Sequence, residues 1–223
     1  MSNYVINEEL VNKIVLLLLE QQNESIISDL INEGVSTDIQ IKNIPLITKV
    51  IDYKDYKTLK FLIQNDFHNQ KKNLHNTLIT EIDSFLGSLN RSIPPNKLDF
   101  KGKIPDVLKI IYNEKAIIES QEFRDIALIL EAIFNENIVS PQIEDKTFTS
   151  EPFPNLLEIR ILFSMLNEDY SQFDSLLNGA TDISKRIYSG STLAHFSSMI
   201  NNNYFLQKLC RFNLDFFYKS RNL

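Results

Sequence analysis

The sequence predicts an all-α protein, an α-solenoid of helix-turn-helix repeats with an irregular helical middle region. Three observations support this prediction. Apolar residues recur with the period of a helix, convincing alternating strands are missing, and two stretches of similar length share one pattern. Hydrophobic residues make up 43% of the 223 residues, as in ordinary globular proteins, so wholesale disorder is excluded.

Residues 1–72 are predicted to form paired helices. The first helix has an apolar stripe made of Leu10, Ile14, Leu17 and Leu18. A second helix over residues 25–33 stops at Gly34, because glycine enters the left-handed conformation without a Cβ penalty. After an extended stretch, a short helix begins at Pro45, and Asp55 is predicted to cap the longer helix that follows.

The C-terminal part, residues 155–223, repeats this form. Helices are predicted there over residues 155–166, 169–177, 191–200 and 204–212. Residues 73–154 form a divergent helical region or an insertion, with helices predicted over residues 73–89, 105–112 and 121–134. Pro94 and Pro95 indicate a loop at residues 92–99, since paired prolines cannot continue a helix. Residues 139–154 are predicted to be an irregular connection and are the best internal boundary.

Two units of the chain have almost the same length. One runs from Gly34 to Asp66, an advance of 32 positions, and the other from Gly179 to Asn213, an advance of 34. In each unit a helix ends at glycine, a polar stretch leads to a short helix, and a longer helix follows after an Asp or Asn break. The 33-residue ankyrin unit lies between these two lengths.

The chain therefore resembles ankyrin-repeat proteins, most clearly over residues 176–215. The segment from Gly179 to Asp182 is similar to the family's Gly-Ala-Asp turn. The segment from Gly190 to His195 is similar to its Gly-x-Thr-Pro-Leu-His helix start. The resemblance implies that Thr192 and His195 share hydrogen bonds that lock this helix start. The chain departs from the family pattern at Asp66, where a turn glycine is usual, and alanine is scarce; another α-solenoid or a globular helical domain remains an alternative.

The resemblance also implies a function. Ankyrin-type arrays hold other proteins with their loop tips and short first helices, so we expect a non-enzymatic protein-binding module. Carried over to this chain, the loop tips that would contact the partner are Asp38, Gln40, Lys42, Lys185, Arg186 and Tyr188. These side chains are polar or aromatic and lie on no apolar stripe, which suits a contact surface.

The partner is expected to be another protein. The Asn-, Ile- and Lys-rich composition suggests an AT-rich, bacterial genome, and one concrete form is an immunity protein that neutralises a basic toxin. An effector that binds a host protein is the alternative within the same class. An enzyme with its site in residues 73–154 is the alternative from another class.

No pattern in the sequence predicts a catalytic site, a metal site or a cofactor. His195 is expected to be structural, Cys210 to lie in a buried apolar helix face, and His68 and His75 to lie on a solvated connector. A solvated helix face explains a group of carboxylates better than acid–base chemistry does. This group consists of Glu119, Glu122, Asp125 and Glu131.

Charge and hydropathy limit the compartment and the partners. The net charge of −6 argues against a general nucleic-acid binder. The strongest apolar run, residues 14–19, is far shorter than the roughly 20 residues needed to span a bilayer. It also follows Glu8 and Glu9 rather than the basic start of a signal peptide. We therefore expect a soluble cytoplasmic protein, with secretion into a host cell without a cleaved signal as the alternative.

Overall fold

The computed structural model describes residues 8–21, 24–91, 100–136, 153, 155–180, 183, 187 and 192–212. Within them, the helices are α1 Glu8–Glu20, α2 Glu24–Asn32, α3 Leu46–Asp52, α4 Tyr56–Arg91, α5 Asp106–Tyr112, α6 Lys115–Ile118, α7 Arg124–Phe134, α8 Leu156–Leu166, α9 Tyr170–Asn178, α10 Leu193–Ile200 and α11 Asn203–Leu209. The strands are β1 Gln40–Ile41 and β2 Ile44–Pro45, and single 3₁₀ turns cover Lys101–Lys103, Gln121–Phe123 and Cys210–Phe212.

The predominantly helical structure confirms the all-α prediction, and each helix predicted from periodicity is present. The predicted loop at residues 92–99 lies outside the described residues, as does the connection at 139–154 apart from Phe153. The chain divides into two compact units, Met1–Leu78 and Ile79–Leu223, and the division falls within α4. Among the described residues, no helix is long and apolar enough to cross a membrane.

In the first unit, the end of α2 follows from its glycine. Gly34 has φ of +98°, and the amide of Val35 donates a hydrogen bond to the carbonyl of Leu30 at 3.0 Å. A hydrogen bond from the amide of Gly34 to the carbonyl of Ile31, also at 3.0 Å, completes the double turn that glycine favours at helix ends. The predicted helix end at Gly34 is confirmed.

A tight β-hairpin follows, where the sequence predicted only an extended stretch. Ile41 pairs with Ile44 across the two antiparallel strands. Lys42 and Asn43 form the two-residue turn, with φ of 53° and 64°. Two successive positive φ angles are those of a type I′ turn, whose twist matches that of the flanking strands. The hairpin escaped the sequence prediction because its strands are two residues long and its turn has no glycine.

The cap predicted for the next helix is also present. Lys54 has φ of 59° and ends α3, and the side-chain oxygen Oδ1 of Asp55 accepts a hydrogen bond from the amide of Thr58 at 3.1 Å. The carboxylate thus satisfies one of the amides that have no partner at a helix start.

The turn expected at Asp66 is a kink instead. Asp66 has φ of −141° and ψ of 26°, which are not helical, yet α4 resumes and continues to Arg91. The side-chain amides of Asn69 and Gln70 donate hydrogen bonds to the Asp66 carboxylate at 2.7 and 3.2 Å. Because the helix continues, His68 lies on α4 and not on the connector that the sequence suggested.

In the second unit, three helices lie side by side. Helix α8 packs against α7 on one flank and α10 on the other, while α9 pairs with α8 and α11 with α10. The ring of Phe163 on α8 lies 6.1 Å from that of Phe85 and 5.8 Å from that of Phe100. Burying one such side chain contributes roughly 1.5–3 kcal/mol, so these aromatic rings contribute much of the stability of the unit.

The ends of these three helices recur at a constant interval. Asn135, Glu168 and Asn201 follow α7, α8 and α10, and their φ angles are 57°, 56° and 55°. Each lies 33 residues after the one before it. The side-chain amide of Asn167 donates a hydrogen bond to the carbonyl of Ala132 at 2.9 Å, which ties the end of α8 to that of α7.

Two expectations about single residues in this unit are wrong. Cys210 is exposed, because α11 ends at Leu209 and the following 3₁₀ turn rotates the next side chain away from the core. Asp125 is only 7% exposed instead of lying on a solvated face, because the N-terminal turn of α7 is itself buried.

Candidate protein-binding surface

Three of the six predicted contact residues lie together on the first unit. Asp38, Gln40 and Lys42 are exposed, and they alternate with Ile39 and Ile41, which are 8% and 1% exposed. Gln40 lies on β1 beside the buried Ile41, so strand alternation turns its side chain outward, while Asp38 precedes the strand and Lys42 begins the turn that follows it. The structure thus places these three predicted residues, all exposed, within one five-residue segment, and we call the surface that they form the hairpin face.

The segment before the hairpin is fastened to the kink of α4. The side-chain amide of Gln70 donates a hydrogen bond to the carbonyl of Thr37 at 3.2 Å, and the Thr37 hydroxyl donates one to Asp66 Oδ2. Burial raises the pKa of Asp66, but the hydrogen bonds from Thr37, Gln70 and Asn69 together lower it by more. The pKa of this carboxyl therefore lies below its usual value. The ionised carboxylate therefore holds the segment in place.

A cavity of about 380 Å³ opens beside the hairpin face. Its walls combine aliphatic and polar side chains, from Val11, Asn12, Val35, Ser36, Asp38 and Ile39. The oxygen Oδ1 of Asn12 is shielded from solvent and has no hydrogen-bond partner among the described residues. Sequence reasoning missed this cavity, because α1 and the segment after α2 meet only in the folded unit.

The other three predicted contact residues, Lys185, Arg186 and Tyr188, lie outside the described residues. Two of their neighbours are described, and both point into the core: Ile183 is 0% exposed and Ile187 is 7% exposed. The carbonyl of Ile187 accepts a hydrogen bond from the side-chain amide of Asn155 at 2.7 Å, which attaches this segment to the start of α8.

The hydrogen bonds expected between Thr192 and His195 are present. The amide of Thr192 donates a hydrogen bond to His195 Nδ1 at 3.1 Å, and the Thr192 hydroxyl lies 2.9 Å from the same nitrogen. Because Nδ1 accepts from an amide, the ring proton is on Nε2 and the hydroxyl is a second donor. This geometry is a helix cap, in which histidine takes the place of the usual Glu or Gln.

A second surface cluster, on α9 and α11, was not predicted. The exposed rings of Tyr170 and Tyr204 are perpendicular, with their centroids 5.0 Å apart. The Tyr204 hydroxyl donates a hydrogen bond to Asp174 Oδ2 at 2.6 Å, and Lys208 Nζ lies 3.0 Å from Oδ1 of the same carboxylate. These hydrogen bonds, first from Tyr204 and then from Lys208, hold the pKa of Asp174 below its usual value.

The described residues bring together no group of three or more His, Cys, Asp or Glu side chains that could hold a metal ion. His68 and His75 both lie on α4, seven residues apart, and the spacing typical of a helical metal-binding pair is four.

Comparison with known proteins yields no relative. No protein-family model, no curated protein and no solved structure matches the chain. The function therefore has to be argued from the geometry of the chain itself.

Proposed function

We propose that the chain is a divergent ankyrin-like array that binds another protein, without catalysis, through the hairpin face. The observation that carries the proposal is the alternation of burial at residues 38–42, in which Ile39 and Ile41 are buried and Asp38, Gln40 and Lys42 are exposed. The two buried isoleucines and the strand pairing anchor the backbone of this segment, and a backbone that is already ordered loses less conformational entropy on binding.

The array in this proposal is supported by the recurrence in the second unit. Helices α7, α8 and α10 lie side by side, and each is followed by a residue of positive φ at an interval of 33 residues. The ankyrin unit has the same length. The cap formed by Thr192 and His195 at the start of α10 adds a local feature of such repeats.

The partner in this proposal is a basic protein, in its concrete form a bacterial toxin that the chain covers as an immunity protein. The net charge of −6 supports this choice, because an acidic surface accelerates association with a basic partner and weakens that association as salt is added. A host protein bound by a delivered effector is the competing form.

The test is an affinity capture from the native organism with the full chain, followed by measurement of the dissociation constant for the purified partner. The hairpin variant carries Asp38→Lys, Gln40→Ala and Lys42→Glu. The matched control carries Asp29→Lys, Gln64→Ala and Lys60→Glu, the same changes at exposed positions of the same unit. We expect the hairpin variant to bind at least about tenfold more weakly and the control to bind as the wild type does.

Equal binding by both variants would overturn the assignment of the hairpin face. Failure of the wild-type chain to capture any protein would contradict the binding function. Capture of a partner with an acidic surface would exclude the role of an immunity protein that covers a basic toxin. Capture of a partner only from a host cell would do the same, and the role of a delivered effector would then remain. Turnover of a small molecule by the complex would support the enzyme alternative instead.

A further inference from the structure

The walls of the cavity beside the hairpin face combine aliphatic surface with polar atoms. Val11, Val35 and Ile39 supply aliphatic surface, and Asn12, Ser36 and Asp38 supply polar atoms. Gly34 also lines it, and a Cβ atom added there would have no neighbour within 4 Å, so this side of the cavity is open. A volume of about 380 Å³ lies within the range of ligand-binding pockets, roughly 300–1,000 Å³.

The polar atoms of the cavity are mainly hydrogen-bond acceptors. Asp38 contributes an exposed carboxylate, and Ser36 Oγ already accepts a hydrogen bond from the amide of Asp38 at 3.1 Å. Asn12 Oδ1 is buried without a donor among the described residues, and an unsatisfied buried acceptor destabilises the free chain. The terminal torsion of an asparagine is soft, so a small rotation can turn this oxygen towards a ligand.

We infer that this cavity takes the arginine or lysine side chain of the partner protein. The aliphatic stem of such a side chain packs along apolar walls, while its charged end donates hydrogen bonds. Asp38 supplies the opposite charge, and Asn12 Oδ1, which has no donor among the described residues, supplies the second acceptor. The inference deepens the proposed function and rests on it, since it names the group by which a basic partner is held.

The test is an NMR titration of the full chain with acetyl-arginine methylamide, with acetyl-norleucine methylamide as the uncharged control. We expect the arginine probe to shift the amide signals of Val35, Ser36 and Ile39 saturably and the norleucine probe to leave them unchanged. Asp38→Asn should weaken binding of the arginine probe about fivefold. Asp29→Asn, the same change outside the cavity, should weaken binding of this probe less than twofold.

A second variant separates a binding role from a structural one. Asn12→Leu removes the buried acceptor at nearly constant volume, so the midpoint of thermal unfolding should stay or rise while the arginine probe no longer binds. Unchanged binding to Asn12→Leu, a response to norleucine equal to that of arginine, or no response to either probe would overturn the inference. Tighter binding of spermidine than of the arginine probe would overturn the assignment to a protein side chain.

The two proposals fail separately. If the hairpin variant loses the captured partner but the arginine probe leaves the cavity signals unchanged, only the cavity assignment is wrong. If the probe binds in the cavity and the wild-type chain captures no protein, the proposed function is wrong, and what stands is only the affinity of the cavity for a guanidinium group.

Discussion

The hydroxyl of Tyr204 donates a hydrogen bond of 2.6 Å to the carboxylate of Asp174, linking α11 to α9. Lys208 Nζ approaches the same carboxylate within 3.0 Å and lies 5.1 Å from the centre of the Tyr204 ring. One tyrosine and one lysine from α11 therefore hold one aspartate of α9 ionised. The arrangement joins two helix pairs through charge-assisted hydrogen bonds at the surface.

Removing the hydroxyl of Tyr204 should raise the pKa of Asp174 towards 3.8, because the largest cause of its lowered pKa is lost. Carbon-13 NMR titration of the Asp174 carboxyl in the Tyr204→Phe variant measures this change. Tyr53→Phe is the control, since that hydroxyl lies 3.5 Å from a different carboxylate, that of Glu20. An Asp174 pKa that is the same in Tyr204→Phe and wild type would contradict the assignment.

The stabilisation from Asp66 should depend on pH. Its folded-state pKa is lower than the unfolded value near 3.8, so its contribution is complete above 3.8 and is lost as pH falls through the lower folded value. Asp66→Asn should therefore reduce the dependence of the free energy of unfolding on pH below 3.8. Urea unfolding at a series of pH values measures this slope, and an unchanged slope would count against the role of Asp66.

The same substitution should loosen the segment that leads to the hairpin face. An amide in place of the carboxylate weakens the contact with the Thr37 hydroxyl, so the amides of residues 37–39 should exchange hydrogen faster. Hydrogen exchange followed by NMR measures this, with Asp29→Asn as the charge-matched control. Equal protection of these amides in both variants would show that the kink does not hold the segment.

The cap of α10 should tolerate one replacement and not another. His195→Ala removes the acceptor for the Thr192 amide and should lower the free energy of unfolding by about 1 kcal/mol. His195→Gln should retain most of the stabilisation that the cap provides, because glutamine accepts the same hydrogen bond in the common form of this cap. Chemical denaturation of both variants checks the order, and an equal loss would mean that the ring itself, not its acceptor, stabilises the helix.

Glycine at the end of α8 should stabilise the protein. Glu168 has φ of 56°, a left-handed conformation that favours glycine over residues with a Cβ atom. Glu168→Gly should therefore raise the free energy of unfolding by about 0.5–1 kcal/mol. Ser175→Gly, at an exposed position inside α9, is the control and should lower it by about 0.5 kcal/mol. A destabilising Glu168→Gly would refute this account of the turn.

Local chemistry allowed much of the helical structure to be predicted. Asp55 caps its helix through an amide three residues away, and the helix that ends at Gly34 is closed by hydrogen bonds that reach only three and five residues back. Interactions of this range are encoded in a few neighbouring residues. The choice of Asp38, Gln40 and Lys42 as contact residues came from the ankyrin resemblance and stays a prediction, although the structure places all three at exposed positions.

The sequence by itself determined the helical class, most helix positions and the helix ends at Gly34 and Asp55. The tertiary structure decided that the chain bends at Asp66 without ending its helix, because Thr37, 29 residues earlier, donates to the Asp66 side chain. It also decided that Cys210 is exposed and that Asn12 lies beside Asp38 in a cavity. Each of these features depends on segments that are distant in sequence, and only the packing of the folded chain brings such segments together.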